Sequence, residues 1–186
     1  TGNAAAGILT AAITMGGEPM PTRSTLSEEY NGSTWTAGGA LNNGRAMGAG
    51  AGTQTATLFF GAFDGATTYA YTESYDGSSW TSENTLTTPT RQLAGAGTET
   101  AGLAAAGYNG TAITAVSEEY NGTSWTAGNS LNTARNKLSG DGLQTAAFVV
   151  GGDTGSASAA MEEYDGTDWT TSPATLGTAR ATLAAA

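Results

Sequence analysis

Cysteine and histidine are both absent from this chain of 186 residues. Without cysteine there are no disulfides and no thiolate metal sites. Without histidine as well, a Cys/His zinc site, a Ser-His-Asp triad and a Cys-His dyad are all excluded. Basic residues are scarce, 6 against 16 acidic, and Lys137 is the single lysine. The resulting formal charge of −10 favours solubility and opposes nucleic acid or an anionic membrane surface as partners. Apolar runs such as Leu58-Phe59-Phe60 fall far short of the roughly 20 residues that cross a bilayer, so membrane insertion is not expected. Helical periodicity is missing too, because Gly, Thr and β-branched residues recur too densely for helices of useful length. The chain opens at Thr1 with neither Met nor a signal peptide, which predicts a processed product or an excerpt. Its wealth of Gly, Ala, Thr, Ser and Asn points to a secreted or virion-borne setting.

What the chain does have is repetition. Glu28-Glu29-Tyr30-Asn31-Gly32-Ser33-Thr34-Trp35 returns as Glu73 to Trp80, Glu118 to Trp125 and Glu162 to Trp169, accounting for all four tryptophans. Asn-Gly or Asp-Gly between β-prone runs is a strong hairpin signal, since a type I′ turn needs positive φ at both central residues. Tyr and Trp lie five apart across a loop of two or four residues, and for either length strand parity puts both rings on one face. Glu28, Glu73, Glu118 and Glu162 share that face with Tyr30, Tyr75, Tyr120 and Tyr164 and with Trp35, Trp80, Trp125 and Trp169. Sheets built this way are meant to be stacked.

The period is close to 45: Thr10, Thr55, Thr100 and Thr145 keep that spacing, as do Leu41, Leu86, Leu131 and Leu176. Arg45, Arg91, Arg135 and Arg180 close the units. A single domain over residues 1–186 is expected, with repeats at 1–45, 46–90, 91–134 and 135–180 and a closing or fifth-strand stub at 181–186. Each unit reads as four strands. In the last copy a small-residue segment from Lys137 to Asp141 precedes the apolar run Ala146 to Val150. After Gly151-Gly152, a third strand enters Glu162-Glu163-Tyr164 and a fourth leaves through Trp169. Four strands at this period signal propeller blades. Two closures remain open: a four-bladed disc with a short overlap, or a segment of a longer array. The small first strands, such as Met47-Gly48-Ala49-Gly50-Ala51-Gly52, suit a crowded axis.

A hydrophobic run ending in a Gly doublet, then Glu-x-Tyr-Asp, then Trp, then Arg about ten residues later, resembles the kelch repeat of β-propellers over all four units. The Tyr-to-Trp spacing is shorter than is usual for kelch, and the doublet becomes Gly61-Ala62 and Ala106-Gly107. With Thr36-Ala37-Gly38 and Leu131-Asn132-Thr133-Ala134-Arg135 nearby, the short hairpin is more similar to the kelch-like repeats of phage and marine-virus tail-fibre or virion-surface proteins. The resemblance implies an all-β propeller of four-stranded antiparallel blades on a virion or outside a cell. Partners would be other virion or fibre proteins or a host surface glycan, and a homo-oligomer is compatible. The copper site known on kelch-type propellers needs His and Cys ligands, which are absent here.

A carboxylate beside Trp and Tyr is costly unless paired, and a guanidinium is its natural partner. A structural ring of Glu–Arg contacts is therefore expected, because paired acids for glycoside hydrolysis would not recur in every blade. Asn31, Asn109 and Asn121 match the glycosylation pattern, but turn geometry explains two of them without sugar. Asp64, Asp141, Asp153, Asp165 and Asp168 lack the dense alternation of a calcium loop. The glycine tract 48–52 lacks the Lys-Ser/Thr of a phosphate loop. No cofactor, metal or catalytic residue is expected. Ligand binding, if present, belongs on the loops that leave the second and fourth strands of each unit. These include Glu18-Pro19-Met20-Pro21, and the candidates they carry are Asp64, Tyr69, Tyr71, Tyr108, Asn109 and Asp153. Tyr with Asn and Asp offers a flat apolar platform plus directional hydrogen bonds, as a sugar site requires. The rival expectation is a purely structural subunit of a fibre or shell.

Overall fold

The computed structural model describes residues 2–18 and 23–182. Most of the first variable loop and most of the expected fifth strand lie outside the described residues. No described residue is helical, and sixteen strands form four sheets. Blade 1 comprises β1 (Ala4–Ile8), β2 (Ala11–Met15), β3 (Ser27–Tyr30) and β4 (Trp35–Ala37). Blade 2 comprises β5 (Ala49–Thr53), β6 (Ala56–Phe63), β7 (Thr68–Tyr75) and β8 (Trp80–Ser82). Blade 3 comprises β9 (Ala94–Thr98), β10 (Ala101–Tyr108), β11 (Ile113–Tyr120) and β12 (Trp125–Ala127). Blade 4 comprises β13 (Ser139–Leu143), β14 (Ala146–Val150), β15 (Ala160–Tyr164) and β16 (Trp169–Thr175). Each sheet is an antiparallel meander with its strands in chain order, and together the sheets make a four-blade β-propeller.

The first strand of each blade is the innermost. β1 packs beside β5, β5 beside β9 and β9 beside β13, around a central cavity of about 730 Å³ whose walls include Ala6, Gly50, Ala51, Gly95 and Gly140. Glycine is needed there for close approach. A Cβ on Gly50 would come 2.8 Å from the Ala5 carbonyl oxygen, and one on Gly95 would come 2.7 Å from that of Gly50. Both are closer than side-chain carbons come to a neighbouring strand.

The core lies between blades rather than within them. Ile13, Met15 and Leu41 of unit 1 meet Phe59, Tyr75 and Trp80 of blade 2. Leu58, Phe60 and Leu86 meet Tyr120 and Trp125 in the same way, and Leu103 and Leu131 meet Leu138, Tyr164 and Trp169. The interfaces thus follow one scheme: aliphatic residues, joined in blade 2 by Phe60, on the outgoing face, and Tyr and Trp on the incoming face. A comparable joint between blades 4 and 1 is not found among the described residues.

The hairpins carrying Tyr and Trp form, with Tyr30 opposite Trp35 and the three later pairs alike. Their turns are not type I′. Only the glycine of each loop has positive φ (Gly32 at 91°), whereas Asn31, Asp76, Asn121 and Asp165 do not. The loop has four residues, and the Asn31 Oδ1 accepts the backbone N–H of Ser33 and of Thr34, both at 3.0 Å. The Asx side chain closes the turn that a second positive φ would otherwise have closed.

Candidate functional site

The interblade carboxylates are the first candidates the structure places. Glu73 and Glu162 are each 1% exposed and ion-paired with Arg45 and Arg135, which lie on the linkers entering their blades. Glu73 also accepts the Asn42 backbone N–H at 2.8 Å and its Nδ2 at 3.0 Å. Glu162 accepts the same groups of Asn132 at 2.7 and 3.1 Å. Each carboxylate therefore fastens the linker that enters its own blade. Burial lowers the Arg45 pKa, and Glu73 opposes that shift. Tyr75, Tyr120 and Tyr164 donate their hydroxyls to Glu29, Glu83 and Glu119 of the preceding blade.

The expected ring of Glu–Arg pairs is incomplete. Glu118 is buried but accepts the backbone N–H groups of Thr87 (2.7 Å) and Thr88 (2.9 Å) instead of a guanidinium. The reason is a one-residue slip. Arg45 and Arg135 follow Leu41 and Leu131 by four residues, but Arg91 follows Leu86 by five, so Thr90 takes the arginine slot. Arg180 keeps the spacing yet is exposed, as is Glu28, and neither is ion-paired among the described residues.

The slip turns Arg91 outward to the loop face. Its backbone bridges Tyr108, and its guanidinium lies 3.9 Å from the Phe63 ring centroid and 4.9 Å from that of Tyr108. Arg23, paired with Glu18 at 2.7 Å, sits 5.4 Å from the same Phe63 ring. Between the β6–β7 and β10–β11 loops is a cleft of about 430 Å³, lined by Phe63, Thr68, Pro89, Arg91, Asn109 and Thr111. Of the six basic residues, Arg23, Arg45, Arg135 and Lys137 have carboxylate partners; among the described residues Arg91 and Arg180 do not. Arg91 makes no side-chain hydrogen bond there either, and its Nε is buried without a partner.

The six sequence candidates for ligand binding divide between places. Asn109 lines the cleft, and Tyr108 supplies a ring beneath Arg91. Asp64 is engaged in its own loop: Oδ1 accepts the N–H groups of Ala66 and Thr67 at 2.8 Å, and Oδ2 accepts the Tyr69 hydroxyl at 3.0 Å. Those backbone N–H groups hold the Asp64 carboxyl below its ordinary pKa. Tyr69 and Tyr71 stack on each other with centroids 4.5 Å apart and interplanar angle 10°. Asp153 stands apart in blade 4, bonded to Lys137 Nζ at 3.1 Å and the Gly155 N–H at 2.9 Å. Phe63 belongs to the expected binding loop, whereas Arg91 is expected from the sequence only as a structural residue, although the longer Leu86-to-Arg91 spacing marks it as out of register.

Fold and site together define a β-propeller whose joints are built on carboxylates and whose loop face carries one arginine without a carboxylate partner among the described residues. No protein-family model matches the chain, and no curated protein matches it either.

Proposed function

We propose that this chain is a non-enzymatic surface module, of the kind carried by kelch-like virion or tail-fibre proteins. It binds a host surface glycan through the cleft between the loops of blades 2 and 3. The observation that carries this reading is Arg91. A guanidinium stacked on Phe63 and Tyr108 keeps its terminal N–H donors free for a carboxylate, and the neighbouring rings suit the apolar face of a sugar. The class of ligand is therefore a saccharide bearing a carboxylate, such as a sialic or uronic acid. A non-enzymatic role fits the burial of Glu73, Glu118 and Glu162 in interblade joints, where each already holds structural bonds.

Glycan-array binding of the wild-type chain beside Arg91→Ala tests it. Acidic glycans are expected to bind, and the variant is expected to lose about tenfold or more in affinity. A blank array, or binding that ignores Arg91, overturns the reading. The structural-subunit alternative has its own support in the open faces of blades 1 and 4.

A further inference from the structure

We infer that the outgoing face of blade 4 is a docking surface for the incoming face of blade 1 in a second copy of this chain. This stands independently of any glycan site. The three joints within the chain state what each face requires, and the two terminal faces hold one half each.

On blade 4, Phe148, Val150 and Leu176 occupy the positions held by Leu103, Ala105 and Leu131 in blade 3. Those three are buried against blade 4, whereas Phe148, Val150 and Leu176 are only half-buried. Arg180 occupies the slot of Arg45 and Arg135 but is exposed, and among the described residues its side chain bonds only the Thr178 carbonyl, through Nε at 3.3 Å. Blade 1 shows the complement. Trp35 is 50% exposed where Trp80, Trp125 and Trp169 are 6%, 4% and 5% exposed. Glu28 is exposed where Glu73, Glu118 and Glu162 are buried. The five exposed large apolar side chains among the described residues, Ile8, Leu9, Leu26, Trp35 and Leu143, all belong to these terminal blades.

Superposing the internal scheme on the open faces gives three contacts between copies. Arg180 meets Glu28, as Arg45 meets Glu73. Glu163, in the slot of Glu29 and Glu119, takes the Tyr30 hydroxyl. Trp35 enters the space beside Phe148 and Leu176. Opposite charges and matching apolar surface meet in one orientation only, so the contact is head-to-tail. Such joints close into a ring if the rotation allows and otherwise extend into a filament. Gly2 and Thr182 are equivalent positions in the same ladder: Met47 N–H donates to Gly2 C=O at 2.7 Å, and Thr182 N–H to Lys137 C=O at 2.7 Å. At the joint one of the two gives up that single backbone hydrogen bond in exchange for the apolar face.

The test is light scattering of the purified chain at rising concentration, with Trp emission followed in parallel. Dimers or longer polymers are expected, with a blue shift as Trp35 leaves water. Arg180→Glu and Glu28→Arg, both at exposed positions, are each expected to weaken association about tenfold or more while leaving circular dichroism unchanged. The double variant, with the charges exchanged, regains association. A chain that stays monomeric at every concentration overturns the proposal, as does association indifferent to either reversal or a double variant that fails to recover.

Discussion

Glu73 and Glu118 occupy the same repeat slot and are buried alike, yet their partners differ in kind. Glu73 neutralises Arg45, which is also 1% exposed, whereas Glu118 satisfies two backbone amides. Removing the first strands a buried cation; removing the second leaves two N–H groups without acceptors. Glu73→Ala is expected to destabilise the fold by roughly 3–5 kcal/mol. Glu118→Ala should cost about 2 kcal/mol, and denaturant unfolding of the two variants reads the difference. Equal losses would contradict a charge-paired role for Glu73. At this scale the repeat was legible: Glu, Tyr and Trp recur in register, and strand parity puts them on one face. Arg91 shows where legibility stopped. Its offset could be counted in the sequence, but that the offset moves a guanidinium from an interblade joint onto Phe63 follows only from the path of the linker.

The hairpins are the elements whose chemistry the pH scale can reach. In blades 2 and 4 the turn acceptor is Asp76 or Asp165; in blades 1 and 3 it is Asn31 or Asn121, which does the same work without charge. Hydrogen bonds from the loop backbone pull Asp76 down to about 2 and lower Asp165 as well. A carboxyl depressed in the folded state contributes stability above its unfolded value of about 3.9, and that contribution fades as pH falls through the folded value. The melting temperature should therefore drop between about pH 4 and 2, and Asp76→Asn should flatten part of that slope. The tyrosines act in the opposite direction. Burial, reinforced by the charge of Glu83, pushes Tyr120 up to about 12, and burial with Glu119 raises Tyr164 further. Stability is then complete below a tyrosine's unfolded value of about 10 and is lost as pH rises toward 12. A melting profile flat at both extremes would contradict these bonds. Asn-Gly and Asp-Gly announced the hairpins in the sequence. The loop of four residues, in place of a type I′ turn, was decided by the side-chain acceptor.

Among the described residues the molecule is a series of three joints, and the chain carries a net charge of −10. Most basic residues are already committed to local ion pairs, so the excess acid repels itself across the surface. Moderate salt screens that repulsion and is expected to raise the melting temperature relative to low ionic strength. A fall on adding salt would mean that exposed attractive pairs outweigh the repulsion. Sequence alone determined the number of units, their all-β character and the aromatic face of each blade, because a repeat of 45 residues with period-two alternation admits few other folds. Tertiary structure decided which partner each of those groups meets. Repetition specifies that every blade has an outgoing and an incoming face, but pairing depends on a neighbour being present in space. Six of the eight faces find one within the chain, and those of Arg180 and Glu28 remain open among the described residues.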